Sequence, residues 1–221
     1  MRYRAGDQVW VGDDRRRRYR LRIGHMDSRE LRGTILEEVL GPPGPRRRLV
    51  VAQALLKGER MDWTIQKATE LGIDRFVPLV TSNTVVRPRA GRIDAQQERW
   101  QRIALQAAQQ AERWEVPTVD PPQEVRQFLQ TSASTADRLV LVEPRDCLKN
   151  QGSLSSVSLG DCERDQIMLV IGPEGGWTQE ELEVAVSCGY RTVTLGQRVL
   201  RAETATLAAL AVVQSRLGNL G

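Results

Sequence analysis

The chain has 221 residues, enough for one large domain or two small ones, and its 40% hydrophobic and 27% charged residues are ordinary for a globular protein. Three widely spaced cysteines and a single histidine argue against a disulfide framework, a cysteine-based zinc site and a histidine-based catalytic triad, and no other metal site is expected. No apolar run approaches the roughly 20 residues that cross a bilayer, and no signal peptide is visible after Met1, so we expect a cytoplasmic protein without membrane contact.

The positive charge is concentrated near the start of the chain. The net charge is only +4, but residues 1–48 contain 13 Arg and no Lys against 7 Asp and Glu. Guanidinium groups suit phosphates, so this part predicts contact with a polyanion such as nucleic acid, and a solvated arginine-rich surface is the alternative. The candidate RNA-binding residues here are Arg15, Arg16, Arg17 and Arg18.

Residues 1–46 predict a small β-domain. Strands are predicted over 7–11, 17–23 and 31–39, because apolar and polar residues alternate there and turn residues separate them. The run GPPGP at 41–45 can continue neither a helix nor a sheet. The domain boundary therefore falls there, with a first domain over 1–46 and a second over 47–221.

Strands and helices alternate in the second part, which predicts an α/β domain with about five parallel strands. The predicted strands are 49–56, 75–81, 138–144, 166–173 and 191–196. The predicted helices are 62–72, 95–113, 124–130, 179–188 and 203–218, and the polar segment 147–165 is predicted to be a loop. Thr178 and Glu181 have the spacing of a capping box. The last helix is apolar on nearly every side, which predicts that a partner subunit covers part of it.

The run IGPEGG, residues 171–176, lies between a buried strand and a helix. In a parallel sheet such a loop lies at the carboxyl edge, where the loops at 141–144 and 194–204 are also expected, so the three could form a pocket built mostly of main chain. That pocket suits a nucleoside cofactor. A phosphate site is disfavoured because Glu174 lies in the loop and the P-loop lysine is missing. A purely structural turn is the remaining alternative.

Four segments carry a resemblance to a known family: KGERMDWTIQKATELGIDRFVPLVT, ERWQRIALQAAQQAERWEVPTV, IGPEGGWTQEELE and TLGQRVLRAETATLAAL. In this order they resemble the RsmE family of bacterial ribosomal RNA methyltransferases, of the SPOUT class, over residues 6–221. The resemblance implies an α/β fold with a C-terminal deep trefoil knot, at about 166–221, preceded by a PUA-like β-barrel that grips RNA. It also implies a homodimer that uses S-adenosylmethionine to methylate N3 of a uridine in 16S ribosomal RNA of the small subunit. A catalytically impaired RNA-binding SPOUT protein is the alternative.

The resemblance also implies which residues act. The cofactor would be lined by Ile171, Gly172, Pro173, Glu174, Gly175, Gly176, Leu195, Gly196, Val199, Leu200, Arg201 and Thr204. From the chemistry of methyl transfer to uracil N3, we assign to Arg201 the stabilisation of negative charge on the uracil and to Glu203 the acceptance or relay of the N3 proton. The alternative is that Glu203 caps the last helix and pairs with Arg201. Arg198 is predicted to bind an RNA phosphate, and a solvated surface position is the alternative.

The chain departs from the family pattern in two places. The first strand of the barrel has no counterpart before RYRAGDQVWV, so we expect an incomplete barrel or a late start of the sequence. Asn83 and Thr84 replace residues of the family's usual RS type, which makes an RNA contact by that loop uncertain.

Overall fold

An antiparallel sheet of three strands comes first in the chain, and a parallel sheet of eight strands follows it. The computed structural model describes residues 3–13, 15–27, 30–45, 47–88, 91–131, 136–144, 152–159 and 165–220. None of the described helices is long and apolar enough to span a membrane.

The N-terminal sheet is a meander of β1 (Gln8–Gly12), β2 (Arg17–Met26) and β3 (Leu31–Leu40), in the order β1-β2-β3. The three predicted strands are therefore confirmed, although β2 runs three residues further than expected. Among the described residues before Arg47, Ile23 is the one buried apolar side chain, and nearly all of β3 is exposed. The predicted barrel is thus represented in the described residues by an open sheet.

A small cluster of side chains joins this sheet to the rest of the chain. The Arg18 guanidinium lies 4.1 Å from the centroid of the Trp114 ring, and Arg16 forms an ion pair with Glu115. Trp114 fits closely over Gly41, where a Cβ atom would lie 2.8 Å from the indole Cε3. Trp114 thus packs on the GPPGP run at 41–45 that separates the two parts of the chain. Cation–π stacking and an ion pair hold the two sheets together here.

The parallel sheet contains five strands that the sequence predicted and three that it did not. The five are β4 (Arg48–Ala54), β5 (Arg75–Val80), β8 (Ala136–Leu141), β10 (Gln166–Ile171) and β11 (Arg191–Thr194). The others have two residues each: β6 (Thr118–Val119), β7 (Gln123–Glu124) and β9 (Gly152–Ser153), the last within the predicted loop 147–165. The order is β6-β5-β4-β10-β8-β11-β9, with β7 also beside β5. Two residues are too few to show a period of two, which is why these strands were missed.

Helices cover both faces of the parallel sheet, so the domain has three layers. The five predicted helices are α1 (Arg60–Glu70), α2 (Ile93–Gln110), α3 (Val125–Thr131), α4 (Gln179–Ser187) and α5 (Ala202–Arg216). One apolar core lies under α1, α2 and α5, and a second lies under α3 and α4. Alternate residues of β4 point into the two cores, Leu49 and Val51 into the first and Val50 and Ala52 into the second. This explains why β4 reads as a continuous apolar run.

Candidate active site

A cleft of about 270 Å³ opens at the carboxyl edge of the parallel sheet. Three segments line it: residues 141–144 after β8, residues 171–177 after β10, and residues 195–205 between β11 and the first turns of α5. These are the three strand-end loops that the sequence predicted to meet. The carboxyl edge of a parallel sheet is where α/β proteins place their ligands.

Most of the residues predicted to bind the cofactor line this cleft. Ile171, Gly172, Pro173, Glu174, Gly176, Leu195, Val199, Leu200 and Arg201 contribute to its wall. Gly175, Gly196 and Thr204 belong to the same segments but are not lining residues. Gly196 has φ +103° and Gly176 has φ +71°, a left-handed backbone that favours glycine, so both glycines shape the turns.

Trp177 is a wall residue that the sequence analysis did not single out. Its indole Nε1 donates a hydrogen bond of 2.8 Å to the carbonyl of Leu141, which ties the loop after β10 to the end of β8. The signal in the sequence was an aromatic residue directly after the paired glycines, at the point where a cleft wall needs apolar area.

Two of the glycines in the loop after β10 have close neighbours on the side where a Cβ atom would lie. A Cβ at Gly172 would lie 3.0 Å from Cε2 of Trp177, and one at Gly175 would lie 3.0 Å from Cβ of Asn83. At both positions, therefore, the close neighbour in the structure is a side chain of the protein itself.

The loop after β5 supports the glycine loop from outside the cleft. The Asn83 side-chain amide donates to the carbonyls of Gly175 and Gly176, each at 3.1 Å. The Ser82 amide donates to Glu181 Oε1 at 2.8 Å. Asn83, which occupies a position where the family pattern suggested an RNA contact, thus holds the backbone of the glycine loop.

The amino end of α4 is closed by its own capping box. Glu181 N donates to Thr178 Oγ1 at 3.2 Å, and Thr178 N donates to Glu181 Oε2 at 3.0 Å, as the sequence predicted. Because a carboxylate occupies the position where a phosphate would bind, this helix end is a poor anion site. The nucleotide-phosphate alternative loses its main structural support.

Charges of both signs line the cleft. Glu143 and Glu174 contribute carboxylates, and Arg198 and Arg201 contribute guanidinium groups from the segment before α5. Glu174 Oε1 lies 2.9 Å from Nη1 of Arg60 on α1. Arg60 therefore partly offsets the negative charge that Glu174 brings to the loop.

The two predicted catalytic residues are placed differently. Arg201 is the N-cap of α5, is exposed and lines the cleft. Glu203 is not a lining residue; its side chain is 9% exposed, and its Oε2 has no hydrogen-bond partner among the described residues. Two residues along a helix correspond to about 200° of rotation, so neighbours in sequence separate onto different faces.

The predicted RNA-binding arginines are also divided. Arg198 lines the cleft and Arg15 is exposed. Arg17 forms an ion pair of 2.7 Å with Glu38 of the neighbouring strand. Arg16 and Arg18 use their guanidinium groups at the junction between the sheets, where Arg18 Nη2 also donates to the carbonyls of Glu112 and Arg113.

Comparison with known proteins gives consistent results. The family described as RNA methyltransferase domain matches residues 43–214. A protein of Synechocystis named ribosomal RNA small subunit methyltransferase E is 37% identical over 174 residues, which is 76% of this chain and 54% of that protein. The Mycobacterium bovis protein of the same name is 33% identical over 216 residues, 96% of this chain and 79% of that one. The chain thus spans about half the length of the Synechocystis relative.

A solved structure shares the fold over most of the chain. The ribosomal RNA small subunit methyltransferase E of Neisseria gonorrhoeae, crystallised with S-adenosyl methionine bound, has a TM-score of 0.83 and 30% sequence identity. The similarity covers 96% of this chain and 84% of that one, so it includes the N-terminal sheet as well as the parallel sheet.

Proposed function

Because this chain belongs to the RNA methyltransferase family, and within it to the relatives named ribosomal RNA small subunit methyltransferase E, we propose that it methylates ribosomal RNA with S-adenosylmethionine. The acceptor is N3 of a uridine in 16S ribosomal RNA of the small subunit. The observation that carries the proposal is the cleft at the carboxyl edge, formed by the three loops that were expected to meet there; the family resemblance assigns the cofactor to two of them.

The residues of the cleft fit S-adenosylmethionine. Ile171, Leu195 and Leu200 offer apolar area for an adenine ring, and main chain at Gly176 can bind the polar edges of the ring. Glu143 and Glu174 suit a ligand that carries a sulfonium and an ammonium group. The bound cofactor supplies an electrophilic methyl group.

On the substrate side, Arg201 is the residue best placed to act. It lines the cleft with an exposed guanidinium, which can stabilise negative charge on the uracil oxygens as N3 loses its proton. Glu143 and Glu174 are the described carboxylates that line the cleft and can receive that proton directly, whereas Glu203 can receive it only through water. Holding the uracil in line with the methyl group contributes further to the rate.

The proposal includes the larger architecture that the resemblance implies. The insertion of β10 between β4 and β8, and of β11 between β8 and β9, supports a trefoil knot, because later strands enter between earlier ones. The exposed residues Thr204 and Ala211 on α5 support a homodimer through this helix. The N-terminal sheet corresponds to part of a PUA-like RNA-binding barrel. Because the substrate is ribosomal RNA, the protein acts in the cytoplasm.

A transfer assay tests the function. Purified protein is incubated with S-adenosylmethionine and small ribosomal subunits that lack the modification, and nucleosides are analysed by mass spectrometry. We expect N3-methyluridine to appear only when protein and cofactor are both present. Binding of RNA and cofactor without methyl transfer would favour the catalytically impaired alternative, and failure to bind S-adenosylmethionine would overturn the proposal.

A further inference from the structure

Gln53 is a fully buried polar residue in an apolar strand. It lies in β4, directly opposite Ile171 of β10, and its relative exposure is 0%. Val51 and Leu55, two residues away on either side, belong to the apolar core under α1, α2 and α5. An amide in such surroundings costs stability unless its donors and its acceptor are all satisfied, so a reason for its presence is needed.

The Gln53 amide makes a complete set of hydrogen bonds. Its Nε2 donates to the carbonyl of Ala54 at 3.1 Å and to the carbonyl of Gly172 at 3.2 Å. Its Oε1 accepts from the hydroxyl of Thr206, a buried residue of α5. The two donors and the acceptor are therefore used, and two of the three bonds reach other parts of the chain.

These two distant bonds end at two different walls of the cleft. Gly172 is itself a lining residue of the loop after β10. Thr206 Oγ1 lies 2.9 Å from the carbonyl of Ala202, and Ala202 and Ala205 line the cleft from α5. Gln53 does not line the cleft, yet its side chain connects the backbone of one wall to the first turns of the other.

The bond to Gly172 also determines what the wall presents to a ligand. The peptide between Gly172 and Pro173 has no N–H, because proline lacks one, so the carbonyl is its only polar group. Gln53 does not line the cleft, but its Nε2 donates to that carbonyl from outside the cleft. The wall here therefore presents the proline ring and the glycine Cα, an apolar surface suited to a nucleobase or ribose face.

We infer that Gln53 is a positioning residue, which fixes the separation of the glycine loop and α5 and thereby the affinity for S-adenosylmethionine. The inference rests on the proposed function for the identity of the ligand. An apolar side chain in Gln53's place would pack in the core but would release both walls: the Gly172 carbonyl would lose this donor, and the Thr206 hydroxyl would keep only the Ala202 carbonyl of its own helix.

Gln214 provides a matched control. It is also a buried glutamine, and it lies on α5, two turns beyond Thr206. Its Nε2 donates to the carbonyls of Leu71 and Gly72 at 2.6 and 3.1 Å, and none of these residues lines the cleft. Replacing either glutamine by leucine removes a buried amide of the same size, but only one of the two amides contacts the cleft walls.

The test compares Gln53→Leu with Gln214→Leu by isothermal titration with S-adenosylmethionine and by thermal unfolding. We expect Gln53→Leu to raise the dissociation constant about tenfold or more, and Gln214→Leu to lower the melting temperature without changing the dissociation constant. Thr206→Val, which releases only the α5 wall, should also weaken binding, whereas Thr206→Ser should preserve it. If Gln53→Leu does not fold, the comparison of Thr206→Val with Thr206→Ser tests the positioning role.

Two outcomes would count against different claims. A parent protein that binds S-adenosylmethionine, with Gln53→Leu and Thr206→Val binding it equally well, would overturn the positioning role and leave the proposed function intact. A parent protein that does not bind S-adenosylmethionine would overturn the proposed function, and the inference with it.

Discussion

The indole of Trp177 packs directly on Gly172, so closely that a Cβ atom at position 172 would lie 3.0 Å from Cε2 and 3.1 Å from Nε1 of the ring. The same Nε1 donates to the carbonyl of Leu141. Two of the three segments that line the cleft are thus joined through one aromatic side chain, and the contact depends on the missing side chain at Gly172.

Gly172→Ala is expected to weaken cofactor binding. The added methyl group forces the Trp177 ring away and strains its bond to Leu141, at a cost of about 1–3 kcal/mol. We expect the dissociation constant for S-adenosylmethionine, measured by titration calorimetry, to rise by about tenfold or more. Gly152→Ala is the control, because a Cβ there meets no atom of the described residues within 4 Å and the backbone is not left-handed. Equal affinity in the two variants would contradict the role of this contact.

Arg201→Ala is expected to reduce turnover far more than cofactor affinity. If the guanidinium stabilises charge that develops on the uracil, its removal lowers kcat about a hundredfold, because that interaction exists only in the transition state. The measurement pairs single-turnover methyl transfer with calorimetric binding of S-adenosylmethionine. Arg102→Ala, an exposed position on α2 outside the cleft, should change neither quantity. Parallel losses of rate and cofactor affinity would reassign Arg201 to binding.

Arg18→Ala and Arg15→Ala should separate stability from RNA binding. Arg18 stacks on Trp114 and bonds to the carbonyls of Glu112 and Arg113, so its loss should reduce the free energy of unfolding by about 1–2 kcal/mol. Exposed Arg15 should leave unfolding unchanged and, as a phosphate contact, reduce the salt dependence of RNA binding by about one unit of slope. Denaturant unfolding and filter binding across a salt series measure the two effects. A stable Arg18→Ala protein with weakened RNA binding would reverse the assignment.

Asp74→Asn should change how stability depends on pH. Burial raises the pKa of the Asp74 carboxyl above its ordinary value of 3.8, although the Leu49 amide donates to it at 2.7 Å. The folded state therefore holds this proton more tightly than the unfolded state, and the group's contribution is fully present below pH 3.8 and is lost as the pH rises through the raised value. We expect the free energy of unfolding of the parent to fall relative to that of the variant as the pH rises through this range, as measured by urea unfolding at several pH values. A parent that instead gains stability relative to the variant as the pH rises would contradict the raised pKa of Asp74.

The sequence predicted the layered fold well because long elements have strong periodic signals. All five helices and the three N-terminal strands appeared near the expected positions, and apolar runs such as β4 marked strands buried on both faces. It also predicted which three loops meet, since the carboxyl ends of parallel strands share one edge. The sequence did not predict the two-residue strands β6, β7 and β9.

The parts of the site that were missed depend on contacts between residues distant in the chain. Gln53 is separated from Gly172 by 119 positions and from Thr206 by 153, and nothing in the run VVAQALL indicates those partners. Arg16 and Arg18 look like phosphate ligands until Glu115 and Trp114 are brought beside them. Glu203 is two residues from Arg201 in the sequence but lies on another side of α5. The sequence alone does not tell at which residue α5 begins, and this start decides which of the two side chains faces the cleft.

The junction between the two sheets lies at the amino edge of the parallel sheet, because residues 112–115 lead into β6 and residues 41–47 lead into β4, whereas the cleft lies at the opposite edge. Strands of six or seven residues are about 20 Å long. A single RNA molecule that touches both regions of one subunit must therefore reach across the thickness of the domain, a span on the order of six stacked nucleotides. A free uridine or a dinucleotide is too short to do so, so an RNA that contacts both regions must be a longer segment.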